Sequence, residues 1–152
     1  MSTVEQEPEA AAGPDRLEAA VDEVAAFLRA GAPAGCERVD LKARMVSDVA
    51  EADVFESMAD GSTNPATVDE PRLFELLREL REAAYDPDED GTWISMRLYA
   101  VPDGGRWLTV NHFWEPSWRV APPDEKYRED LARYPRPYSE SPDWLSAKVG
   151  QS

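Results

Sequence analysis

Residues 93–114 read as a β-hairpin, and no other stretch restricts the possible folds as much. Ile94, Met96, Leu98 and Ala100 alternate with Ser95, Arg97 and Tyr99. Pro102-Asp-Gly-Gly105 follows as a turn, and a second alternating run returns from Trp107. Side chains on a strand point to opposite faces with period two, so such alternation marks a sheet with one buried and one wet face. The return strand is expected to put Leu108, Val110, His112 and Trp114 on one face, with Trp107, Thr109, Asn111 and Phe113 on the other.

A second alternating run precedes it. Val39, Leu41, Ala43 and Met45 interleave with Arg38, Asp40, Lys42 and Arg44, which suits an antiparallel sheet open on one side. Ser47-Asp48 is a turn candidate, and 50–58 reads as a second strand or, alternatively, a short helix. Residues 60–65 read as loop. Two helices are predicted in the first half of the chain. Leu17, Ala20, Val21, Val24, Phe27 and Leu28 form one apolar stripe after Asp15, a candidate cap. Leu73, Phe74, Leu76, Leu77 and Leu80 form another, with Asp69 as N-cap and Pro71 in the first turn. A short helix from Asp124 to Arg133 follows the hairpin, and Pro142-Asp-Trp-Leu145 is expected to dock back on the body. The resulting order, α-β-β-α-β-β-α, defines an α+β domain with an antiparallel sheet of about four strands and helices packed on one face. A disordered acidic leader is expected over 1–14, a single domain over 15–146 and a flexible tail over 147–152.

Charge narrows the choice of partners. Thirty-one acids against sixteen bases give a net charge of −15. Nucleic acids and anionic lipid surfaces need clustered Lys and Arg, so neither is an expected partner. A basic partner would be attracted over a long range. No apolar run approaches the ~20 residues of a membrane span. The start of the chain is acidic where a secretory signal is basic and then apolar, so a cytoplasmic location is expected.

Catalytic hardware is sparse. Enzymes of most hydrolytic and transfer classes use a nucleophile–base pair, a metal cluster or a phosphate cradle. The only histidine, His112, sits in a predicted strand, and the only cysteine, Cys36, reads as a small residue near the start of another. Asp86-Pro-Asp-Glu-Asp-Gly91 lacks the spacing and closing glutamate of a calcium loop. No catalytic residue, metal site or cofactor is therefore expected.

The chain instead concentrates rings. All five tryptophans and all five tyrosines lie between Tyr85 and Trp144, more than one small core requires. Trp107, Trp114 and Trp118 are the candidate anchors of a binding surface. Glu115, Asp88, Glu89 and Asp90 would supply charge toward arginine or lysine side chains of a partner.

The run Leu73-Phe-Glu-Leu-Leu-Arg-Glu-Leu-Arg81, then Gly91-Thr-Trp93, Asp103-Gly-Gly and a second strand resembles the YezG-type antitoxins, immunity proteins of bacterial toxin systems. Phe113-Trp-Glu-Pro-Ser-Trp118, Tyr127-Arg-Glu-Asp-Leu131, Tyr134-Pro-Arg136 and Pro142-Asp-Trp-Leu145 are similar to the tail of actinobacterial members. The likeness covers roughly residues 16–145 and is poorest over 50–58, where tyrosine-rich positions are expected. It implies a protein that neutralises a toxin domain, frequently a basic enzyme, by direct contact. A secretion chaperone or adaptor shares the acidic, catalytically empty composition. A small enzyme or ligand binder using His112 with nearby carboxylates is a third reading.

Overall fold

The computed structural model describes residues 14–137 and 141–150. Its elements run α1 (Pro14–Ala30), β1 (Cys36–Val46), β2 (Val49–Met58), β3 (Thr63–Pro65), α2 (Glu70–Ala83), β4 (Ser95–Ala100), β5 (Arg106–Asn111), α3 (Asp124–Arg133) and α4 (Asp143–Val149). The fold is α+β, with the five strands in the order β3-β2-β1-β4-β5 and every pairing antiparallel.

Period two decides the layering. Val39, Leu41, Ala43 and Met45 of β1 pack with Met96, Leu98 and Ala100 of β4 against Val21, Val24, Ala25 and Leu28 of α1 and Leu73, Leu76, Leu77 and Leu80 of α2. The two helices therefore cover one face of the sheet. Asp69 caps α2 by accepting the Arg72 N–H at 3.2 Å. Cys36 opens β1 and is buried.

Residues 50–58 form the strand expected there, and their partly buried face and ten-residue pairing with β1 exclude the helical alternative. Other expectations change in detail. Thr63–Pro65, expected as loop, forms a short edge strand on β2, where a proline costs no ladder bond. Asp15 lies in the first turn of α1, because the helix already begins at Pro14. The rest of the expected leader lies outside the described residues. The boundary expected at 146 falls inside α4, which runs to Val149 and closes on Gly150 at a φ of 79°.

A smaller core forms where α3 and α4 meet the β1–β2 turn, built on Val46, Tyr127 and Leu145 with Trp118, Leu131, Trp144 and Val149 around them. One polar latch joins it to the main core. Arg81 of α2 and Asp130 of α3, both buried, form a two-pronged ion pair, with Nη2 2.7 Å from Oδ2. Arg81 Nε also donates to the Trp93 carbonyl at 2.6 Å, and Asp130 accepts the Ser47 N–H at 2.8 Å. That bond holds the turn residue Ser47 in its left-handed conformation, φ 54°.

Candidate protein-binding site

The hairpin alternation stops at Asn111, three residues earlier than its sequence suggests, and Asn111 is the cause. Its Oδ1 accepts the N–H groups of Phe113 and Trp114 at 3.0 and 2.8 Å. Its Nδ2 donates to the Trp114 carbonyl at 2.7 Å and to Ser95 Oγ at 2.8 Å. An asparagine that bonds the backbone two and three residues on closes an Asx-type turn and takes the chain out of the ladder. His112 and Trp114 thus leave the face that Leu108 and Val110 bury.

Neighbouring elements fix the same turn. Trp144 Nε1 of α4 donates to the Phe113 carbonyl at 2.7 Å. Arg136 Nη1 donates to the His112 carbonyl at 2.7 Å, and Arg136 itself packs on Gly91. A Cβ at Gly91 would lie 3.2 Å from that of Arg136, and the φ of 73° there also favours glycine. The backbone of 111–114 is therefore tied to three separate segments while its rings face outward. Trp114 is 72% exposed and Phe113 52%, the two meeting edge to face with centroids 5.1 Å apart.

These rings border a hollow of about 500 Å³ lined by Asp90, Thr109, Val110, Asn111, His112, Phe113 and Trp114. Asp90 is the half-buried end of a tight turn closed by Asp86 N–H to Gly91 O at 2.8 Å and Gly91 N–H to Asp86 O at 3.0 Å. Asp88 and Glu89 stand exposed on that turn, and no cation is paired with either among the described residues. The structure thus gathers Trp114, Asp90, Asp88 and Glu89 at one end of the hairpin. Glu115 is exposed beside them and reaches Lys148 Nζ at 3.4 Å.

His112 forms part of the wall. Burial lowers its pKa from the ordinary histidine value, Asp90 opposes that shift, and Arg136 adds to it. Its Nδ1 lies 3.9 Å from Asp90 Oδ2, beyond hydrogen-bond reach. Among the described residues no group of three or more His, Cys, Asp or Glu side chains could hold a metal ion.

The two other candidate anchors lie elsewhere. Trp118 turns inward, its Nε1 donating to Tyr127 Oη at 2.9 Å within the smaller core. Trp107, 51% exposed, lies on the open face of the sheet and stacks on its cross-strand neighbour Tyr99 at 4.8 Å. Arg38 covers the other side of Tyr99, 4.9 Å from the ring centroid.

The loop that follows the exposed rings is strapped across the open face by Glu51. This carboxylate accepts the Arg119 and Val120 N–H groups at 2.7 and 2.9 Å and binds Arg44 at 2.8 Å. Burial alone would raise its pKa, but those donors outweigh it and hold the group below the usual glutamate value. Asp53 behaves alike, its partial burial outweighed by Arg44 and Arg119. Arg44, read from the alternation as wet, is consequently buried under this strap. Asn111, Phe113 and Tyr99 are not among the candidates that the sequence marks. Asn followed at i+2 and i+3 by rings that a ladder would split between faces was the signal for the first two.

No protein-family model matches the chain, and no curated protein is significantly similar to it. Among the described residues no helix is long and apolar enough to cross a membrane.

Proposed function

We propose that this protein is an immunity protein, an antitoxin that neutralises a bacterial toxin domain by direct contact, as the likeness to YezG-type antitoxins implies. One observation carries the reading: Phe113 and Trp114 face solvent on a backbone pinned by Asn111, Trp144 and Arg136. Two large rings left in water cost free energy, and ordering the turn beneath them costs more. Both costs are offset once a partner covers the rings. Covering the exposed parts of the two rings would remove roughly 280 Å² of apolar surface, worth about 7 kcal/mol before the cost of association. A turn already rigid loses little further entropy on binding, which converts more of that burial into affinity.

The surrounding charge suits a basic partner. Asp88, Glu89 and Asp90 lie next to the hollow, where a lysine or arginine side chain of the toxin would meet a carboxylate and a ring face together. The net charge of −15 would speed encounter with such a partner in the cytoplasm. Inhibition by this route is steric, with the rings seated in the toxin and its active site covered.

Growth protection tests the proposal. The open reading frame adjacent to this gene is induced in a heterologous host with and without this protein. Arrest relieved by the wild type, and restored by Trp114→Ala or Phe113→Ala in folded protein, supports the reading. A neighbour that is harmless, or protection indifferent to both substitutions, overturns it.

A further inference from the structure

The open face of the sheet has a charge opposite to that of the whole molecule. The register places Arg38, Lys42, Arg44 and Arg97 on it with Asp40, Glu51 and Asp53, and Arg119 reaches in from the strap. Five cations therefore face three carboxylates in a chain of net charge −15. The three carboxylates are already engaged. Asp40 holds Arg38 at 3.1 Å, Glu51 holds Arg44 at 2.8 Å, and Asp53 holds Arg44 at 3.0 Å and also Arg119. Lys42 and Arg97 remain, directly opposite each other on β1 and β4, exposed, with no ion-pair partner among the described residues. Like charges placed opposite on a sheet repel, and Asp53, opposite Lys42 on β2, makes its ion pairs with Arg44 and Arg119 instead. An anion that sat between Lys42 and Arg97 would remove that repulsion.

Around this pair the surface has the form of a shallow site. Lys42, Ser95, Arg97, Thr109, Asn111 and Ser117 border a hollow of about 320 Å³, walled on one side by the strap. Two residues along each strand, on the same face, lies the Tyr99–Trp107 stack, with Phe55 beyond Asp40 in the same row. Cations and rings so arranged match a protein segment that alternates carboxylates with apolar side chains.

We propose that this face docks an acidic segment of a protein partner, carboxylates on Lys42 and Arg97 and an apolar side chain on the exposed Trp107 of the Tyr99–Trp107 stack. The proposal rests on the reading of the molecule as a protein-binding inhibitor, and it adds that the partner's contact surface carries both signs of charge. It would be acidic over the sheet and basic at the Trp114 end. A nucleic acid fits the same rings less well. Two free cations neutralise few phosphates, and the remaining charge of the molecule repels a polyanion. A second copy of the chain would bring two net charges of −15 together, which opposes self-association.

Isotope-labelled full-length protein is titrated at low salt with three probes: the peptide acetyl-Glu-Phe-Glu-Phe-Glu-amide, its lysine counterpart, and an eight-residue oligothymidylate. The acidic peptide is expected to shift the side-chain resonances of Arg97 and Lys42 and the Trp107 indole, and to bind at least tenfold more weakly to Lys42→Glu/Arg97→Glu. Lys42→Gln/Arg97→Gln, which adds no new charge, should fall between, and fluorescence melting checks that both variants fold. An acidic peptide that leaves those resonances unmoved, or binds the double variants as well as the wild type, overturns the proposal. Oligothymidylate shifting them as strongly also overturns it, in favour of a single-stranded nucleic-acid site. Failure here with Trp114→Ala still abolishing protection would remove the sheet-face partner and leave the inhibitor reading standing.

Discussion

Asn111→Ala tests whether the exposed rings are held in place or merely left outside. The substitution removes two accepted bonds, from Phe113 and Trp114 N–H, and two donated ones, to Trp114 O and Ser95 Oγ. Water can reach this half-exposed turn, so each bond is worth the low end of the net range, about 0.5 kcal/mol, and the loss sums to about 2 kcal/mol. With a urea m-value of about 2 kcal/mol/M, the unfolding midpoint should fall by about 1 M. Asn111→Asp keeps the two accepted bonds, can accept from Ser95 Oγ–H, and loses the bond to the Trp114 carbonyl, so a smaller shift than in Asn111→Ala is expected. Tryptophan fluorescence in urea measures both variants. Amide exchange at Phe113 and Trp114 should speed up in Asn111→Ala well beyond what the global loss explains. Affinity for the partner should fall by about tenfold or more, because the bound geometry must now be ordered on binding. An unchanged midpoint with unchanged exchange at those two amides would refute the idea that Asn111 builds the presenting turn.

Asp130→Ala strands the buried Arg81 guanidinium and the Ser47 N–H, and should cost about 3–5 kcal/mol in chemical denaturation, whereas Arg81→Met/Asp130→Leu should recover most of that loss. Trp118→Ala should lower the melting temperature through lost packing against Tyr127 and leave partner affinity within about twofold; Trp114→Ala should do the reverse. The lowered pKa of His112 means the unfolded chain binds a proton more readily there, so stability is complete above the ordinary histidine value and declines as pH falls through about 6.5. His112→Gln should abolish that first decline in a pH series of urea midpoints. A second decline below about 4.5, set by the lowered pKa values of Glu51 and Asp53, should persist in that variant and shrink in Glu51→Gln.

Where structure follows from local periodicity, the sequence is transparent. Val39 to Met45 and Ile94 to Ala100 announce buried strand faces, and the leucines of α2 with Asp69 announce a capped helix. β3 is hidden because three residues ending in proline carry no period, and only β2 alongside makes them a strand. The fate of each tryptophan depends on distant partners. Trp118 turns in because Tyr127 Oη accepts its N–H from another element, and Trp107 stacks on Tyr99 because β4 and β5 pair in that register. The excess of cations on the open face is likewise invisible without register. Lys42 and Arg97 are fifty-five positions apart in the chain and become neighbours only when β1 pairs with β4.

The indole of Trp144 links two events that look unrelated. It donates from α4 to the Phe113 carbonyl, so if a partner seated on the outward rings strengthens that bond, it also tightens α4, and loosening α4 then weakens the partner's hold by the same free energy. Protease resistance near residues 143–149 would then serve as a remote gauge of occupancy, readable without any label on the ligand itself.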